Sequence, residues 1–175
     1  TPSMASAMYA AVVNDTGCFR HSNTDQAVFE LAGRLVQAGA DSKMVNRKLL
    51  DEKPLAGIKL WASALSGIKI LSGGKAAMVS ISAAQLAATG ATWEETDGLA
   101  ETLRSIEGVE VSAMLREEGP LKAKLSMRSK YAFDVNVFAG QWGGGGHAKA
   151  AGATMPMAFN DAVTAVQTAL EKAVS

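Results

Sequence analysis

The chain has 175 residues, 48% of them hydrophobic, and its 17 Lys and Arg are balanced by 17 Asp and Glu. That length suits one medium domain, or a small domain with an extension, and the apolar share is enough to bury a true core. Zero net charge excludes a broad basic surface that grips duplex nucleic acid non-specifically, while leaving room for a local basic pocket.

The chain opens on Thr1-Pro2-Ser3, which lacks the basic start and apolar stretch of a secretory signal. Without an initiator Met it reads as a processed or excised piece. Residues 3–14, rich in Ala, Met and Val, read as a buried helix or strand, and Asn14-Asp15-Thr16-Gly17 reads as a turn. Cys18 is the single cysteine, so no internal disulfide forms and a reducing compartment, the cytoplasm, is expected. With two His it also makes a Cys/His zinc site improbable. Residues 25–38 form an amphipathic helix with Val28, Leu31 and Leu35 on one face, Thr24 as N-cap and Gly39 as its stop. Asp41 or Ser42 caps another helix carrying Val45, Leu49 and Leu50. The charged cluster Asp51-Glu52-Lys53-Pro54 marks a boundary between two helical patterns.

A helix over 55–66 follows, then two strands, Ile68 to Leu71 and Ala76 to Ile81, joined by Ser72-Gly73-Gly74. Thr92-x-x-Glu95 has capping-box spacing and starts a helix that runs to about Ile106. The clearest strand pair is 108–116 with 121–128, connected by Glu117-Glu118-Gly119-Pro120. Val109, Val111, Ala113 and Leu115 alternate onto one face, as do Leu121, Ala123, Leu125 and Met127. The opposite face carries Arg116, Lys122, Lys124, Ser126 and Arg128, a polar and mainly basic row. A short helix spans 134–140, a glycine run leads to His147, and Phe159, Val163, Val166, Leu170 and Val174 define a last helix. No run of about 18 apolar residues exists, so no membrane span is expected. Alternating helices and strands give an α/β or α+β class.

Three constellations can carry chemistry. Gly143-Gly144-Gly145-Gly146-His147 loses much backbone entropy on folding and so needs a reason. Close approach to a ligand is one, with N–H groups converging on phosphate oxygens and His147 adding a donor at the rim. A tight turn with a surface His is the other. The run is neither a P-loop nor a dinucleotide-binding fingerprint. Ser126 and Arg128 point the same way along a strand, and an Arg fork suits phosphate in two-point fashion, although a solvated strand face reads the same way. Asp15 in its turn is either a hard metal ligand or a turn-capping carboxylate.

Taken in order, Asp15-Thr16-Gly17, then Ser126-x-Arg128-Ser129, then Gly144-Gly145-Gly146-His147-x-x-Ala150-Ala151-Gly152 resembles the DHH phosphoesterase family, in its nanoRNase and pAp phosphatase branch. Ala139-Gly140-Gln141-Trp142, Cys18-Phe19 and Asn23-Thr24 fit that branch, and the resemblance spans nearly the whole chain. It implies a metal-bearing DHH domain, usually with two manganese ions, followed by a DHH-associated domain that binds substrate. The expected fold is α/β, a mixed β-sheet flanked by helices, preceded by a helical remnant of the DHH domain. Residues 1–50 would be that remnant, 51–57 a linker and 58–175 the associated domain. Asp15 would be the last metal ligand. Arg128, Gly144, Gly145, Gly146 and His147, with Ser126 as a weaker member, would hold a short oligonucleotide or nucleotide phosphate. The family's other metal motifs precede Asp-Thr-Gly and do not occur in these residues, so the missing N-terminal DHH domain is the expected partner. Two metals about 3.5–4 Å apart need several ligands, so this piece alone is expected to be inactive. The alternative is an RNA-binding module like the C-terminal domain of alanyl-tRNA synthetases. The Met- and Ala-rich start is a candidate homodimer contact.

Overall fold

Ala5, Tyr9 and Val13 recur every four residues and form the buried stripe of helix α1 (Pro2–Asp15). Thr1 caps it, its Oγ1 accepting from the Met4 amide at 3.3 Å. In the computed structural model, residues 1–174 are described and divide into two units, Thr1–Lys53 and a second beginning at Pro54. In the first unit α1 packs with helices α2 (Gln26–Gln37) and α3 (Ser42–Asn46) around a small core that adds Ala32, Leu35, Ala40 and Val45.

Asp25 rather than Thr24 caps α2: Asp25 Oδ1 accepts from the Val28 amide at 3.0 Å. The Thr24 amide closes the preceding turn onto the His21 carbonyl. Gly39 takes a φ of +92° just past the helix end, as a C-terminal glycine does. Leu49 and Leu50 lie in a π-helical turn, Arg47–Asp51, and are exposed rather than buried in a regular helix.

The second unit starts with α4 (Leu55–Ser66), so residues 55–57 are already helical. Strand β1 (Lys69–Leu71) turns through Ser72–Gly74 into β2 (Ala76–Ile81). A helix absent from the sequence reading, α5 (Ala83–Thr89), is capped by Ser82 with Gln85 in reciprocal bonds. Thr92 and Glu95 do form a capping box, but it opens only a 3₁₀ turn, Trp93–Thr96. Gly98 at φ +87° breaks the chain before the separate helix α6 (Leu99–Arg104).

Strands β3 (Val111–Gly119) and β4 (Lys122–Ser129) pair antiparallel as expected. The ladder extends through Glu117 and Gly119 with a bulge, so the turn is shorter than the four-residue connection expected. After α7 (Val135–Gly140) the glycine run does not stay a loop: Gly145–His147 is strand β5, pairing with β6 (Ala150–Met155). Helix α8 (Phe159–Ala173) closes the unit.

The result is a mixed six-stranded sheet in the order β1-β2-β3-β4-β6-β5, with β2 and β3 parallel. Helices α7 and α8 bury one face through Val135, Phe138, Val166 and Leu170 against Leu115, Leu125, Met127 and Met155. Helices α4, α5 and α6 cover the β2–β3 part of the other face, over Val79, Ile81 and Met114. This second layer is why Ser112 and Met114 are buried although they alternate with the first core.

Candidate functional site

Residues paired across neighbouring strands project from the same sheet face, so the register builds the site row by row. One row runs Ser112, Arg128, Ala150, His147 across β3, β4, β6 and β5. The next runs Met114, Ser126, Gly152, Gly145. A third holds Arg116, Lys124 and Thr154. The β3 members Ser112 and Met114 are buried, whereas Arg128, Ser126, Ala150 and Gly152 are half-buried and His147 and Gly145 exposed. Arg128 and His147 thus leave the same face two strands apart, about 10 Å between their backbones. Only Ala150 lies between them.

The glycines divide by role. A Cβ on Gly144 would lie 2.2 Å from the Gly152 carbonyl oxygen, and one on Gly146 2.5 Å from that of Ala150. Gly152 is closed in the same way by the Leu125 carbonyl at 2.5 Å. Gly145 has no such neighbour; its nearest atom, Asn136 Oδ1, would be 3.4 Å away. Several backbone donors are already engaged: Gly143 N–H with Gly140 O, Gly144 N–H with Ala139 O at 3.1 Å, and Gly146 N–H with Asn136 Oδ1 at 2.9 Å. An anion nest made of consecutive glycine amides therefore loses these three donors. The run instead lets β5 lie close against β6, and so sets His147 in its row.

Arg128 is not free. Its Nε donates to Glu101 Oε1 at 2.6 Å and its Nη1 to the Met127 carbonyl at 2.8 Å. Ser126, next in the same direction along β4, pairs with Gly152, and Gly145 follows in the same row. The wider basic row is reduced. Arg116 binds Glu118 through Nε and Nη2, each at 2.9 Å, and lies 5.6 Å over the Trp93 ring. Lys122 reaches the same Glu118 at 3.0 Å. Burial raises the Glu118 pKa, but the bonds from Lys122 and Arg116 outweigh it and hold the carboxyl below its ordinary range. Lys124, Arg128, paired with Glu101, and the imidazole of His147 are then the nitrogen donors along the open half.

In the first unit Asp15 ends α1. Asn23 Nδ2 donates to its Oδ2 at 2.9 Å, and His21 Nδ1 lies 3.3 Å from its carbonyl oxygen. The loop that follows places Gly17, Cys18 and Phe19 all at positive φ, between 55° and 60°. Three successive residues there are costly for two that carry a Cβ. Thr16 supports the turn from a buried position, its Oγ1 donating to Val12 O at 2.7 Å and accepting from Phe19 N at 3.0 Å. Among the described residues no group of three or more His, Cys, Asp or Glu gathers closely enough to hold a metal ion.

Sequence reasoning missed Glu101 and Asn136. Glu101 has no motif around it and meets Arg128 only through the packing of α6. Asn136 was legible in part, since it follows the cap Asp134 of α7.

A mixed sheet with helices on both faces and a glycine-histidine edge strand makes this unit an α/β domain. The DHHA1 domain matches residues 78–175, more than half of the chain, and the chain belongs to that domain family. It is 32% identical over 158 residues to the bifunctional oligoribonuclease and PAP phosphatase NrnA of Thermus thermophilus, across 89% of this chain and 46% of that protein. The NrnA of Bacillus subtilis is 32% identical over 151 residues, across 86% of this chain and 47% of that protein. An exopolyphosphatase-related protein of Bacteroides fragilis has the same fold, with a TM-score of 0.88 and 26% identity, over 96% of this chain and 49% of that chain. The chain spans about half the length of the curated relatives it matches. No helix among the described residues is long and apolar enough to cross a membrane.

Proposed function

We propose that this chain is the C-terminal, substrate-binding part of a cytoplasmic DHH phosphoesterase that hydrolyses short oligonucleotides or nucleotide phosphates. The carrying observation is the shared row of Arg128 and His147 on the open half of the sheet. A guanidinium and an imidazole about 10 Å apart at the backbone can close on one phosphate group between them. Ala150 and the glycines Gly145 and Gly152 leave the floor beneath it without side-chain bulk. Ser126, the half-buried Gly144 and the exposed Gly145–Gly146 edge would meet the adjoining sugar and base. The bonds already made by the loop amides favour a role in close approach for the loop, and in this reading His147 is its donor.

The metal is proposed as manganese, which would activate the attacking water in the complete enzyme. Asp15 is an exposed carboxylate with Oδ2 held by Asn23, and it offers one hard oxygen ligand. One ligand does not make a two-metal site, so the residues of this chain do not fit the centre by themselves. In this reading residues 1–50 belong to the metal-bearing DHH domain, 58–175 form the associated domain, and the remaining ligands come from the N-terminal DHH partner. A stand-alone RNA-binding module fits less well, because Arg116 and Lys122 are tied to Glu118 rather than presented to a backbone.

The test has two arms. The 175-residue chain, incubated with manganese and a short RNA, should give no turnover; turnover that persists through purification would refute the division of labour. In the parent enzyme, Arg128→Ala should raise KM for the same RNA by about tenfold or more, the loss expected for a charge-assisted contact. Unchanged kinetics would remove Arg128 from the site.

A further inference from the structure

Two protein groups fix the orientation of Arg128. Glu101 Oε1 accepts from its Nε at 2.6 Å, and the Met127 carbonyl accepts from its Nη1 at 2.8 Å. Its row neighbours on β3 and β6 are Ser112 and Ala150, both small. Glu101 is itself held firmly. Leu99, Ala100 and Leu103 bury the inner side of α6. Ser112 Oγ on β3 donates to the Ala100 carbonyl at 2.7 Å, and Arg104 Nη1 reaches the Ser129 carbonyl beyond β4 at 3.4 Å. The helix is therefore pinned to the sheet on either side of Glu101.

The pair is a poor device for stability. The side chains of Arg128 and Glu101 remain 28% and 40% exposed, and ion pairs so wetted contribute little to folding. Its effect falls on the freedom of a long side chain that would otherwise sample many rotamers. A carboxylate at Nε also leaves the Nη2 end without a bond among the described residues.

We infer that Glu101 is the positioning residue of the phosphate site: it holds the Arg128 guanidinium in one orientation before an anionic nucleotide arrives. The inference rests on the reading of Arg128 given under Proposed function. Glu101 acts through Arg128 and does not touch the ligand. Removing it should weaken binding although the site becomes more positive, because the ligand must then order the guanidinium itself.

The experiment measures binding of 3′-phosphoadenosine 5′-phosphate to the 175-residue chain by NMR titration, following backbone amide resonances for affinity and, in the variants that keep Arg128, its Nε–H resonance for orientation. Arg128→Ala should weaken binding by about tenfold or more, and Glu101→Ala by about three- to tenfold, the cost of ordering one long side chain. Glu101→Gln keeps an acceptor and should stay within about twofold of the parent chain, with its Nε–H signal retained. In the Arg128→Ala background Glu101→Ala should change nothing further. If Arg128→Ala weakens binding but Glu101→Ala leaves it unchanged or tightens it, Glu101 is a spectator or a competitor and the inference is overturned while the site stands. If Arg128→Ala itself leaves affinity unchanged, the reading of Arg128 fails and takes the inference with it.

Discussion

Replacing each glycine of the Gly143–Gly146 run with alanine separates packing from ligand approach. A methyl group on Gly144 would stand 2.2 Å from the Gly152 carbonyl oxygen and 2.5 Å from the Ala153 Cβ. Both neighbours belong to β6 in the middle of a hydrogen-bonded ladder, so neither can swing aside as a flexible side chain would. Overpacking of this kind costs about 1–3 kcal/mol, and contact with backbone puts Gly144→Ala at the upper end. For a unit of about 120 residues, roughly 3 kcal/mol lowers the melting temperature by about 10 °C. Gly145→Ala differs in kind. Its methyl would meet only Asn136 Oδ1 at 3.4 Å, an ordinary contact, and its φ lies outside the left-handed region. Lower unfolded-state entropy should leave it neutral or about 0.5 kcal/mol more stable. The assay is differential scanning calorimetry of the two variants beside the parent chain. Equal melting temperatures would refute the division of the run into steric and open positions.

Three other outcomes are expected. His147→Ala should leave the melting temperature within about 2 °C, since the residue is exposed, while weakening binding of 3′-phosphoadenosine 5′-phosphate severalfold in the same titration; unchanged binding removes His147 from the site. Ser112→Ala leaves the Ala100 carbonyl without its buried donor and should cost about 1–3 kcal/mol in denaturant unfolding, loosening α6 from β3. Glu118 has a folded pKa below its unfolded one, so its stabilisation is complete above the ordinary carboxylate value, about 4.3, and is lost as pH falls through the lower folded value. Glu118→Gln should therefore reduce the melting temperature at pH 7 and matter progressively less below about pH 4; a difference constant with pH would contradict the network with Arg116 and Lys122.

Much of the fold was readable because local signals and tertiary packing agree. Alternation along Leu125 and Met127 marked β4, and the four-residue recurrence of Val166 and Leu170 marked α8, since both segments bury one side only. The failures have physical causes. Residues 83–89 hold one large apolar residue, the half-buried Leu86, among Ala, Gln and Thr, so α5 shows no apolar period and only its Ser82 cap announces it. Gly98 splits a helix that the Thr92–Glu95 box seemed to open, because a left-handed residue is invisible to a capping pattern. Gly145–His147 carries no β-forming side chain at all, and its strand character comes from β6 lying alongside. At the site, motif residues in one sheet row could be picked from sequence, but Glu101 could not. Its contact with Arg128 spans 27 positions and depends on where α6 sits.

The ladder from Lys122 to Met155 also limits how this stretch can change in length. Arg128 and His147 share a face only while β4, β6 and β5 keep their frame. A single residue inserted or deleted inside any of these strands would turn Met127 outward, or exchange His147 with Gly146, without altering a motif residue. Gain or loss of residues in this part of the chain is therefore tolerable only in the connections, between Ser129 and Val135 or between Gly140 and Gly145. The eight-residue stretch from Gly145 through Gly152 behaves as a fixed measure.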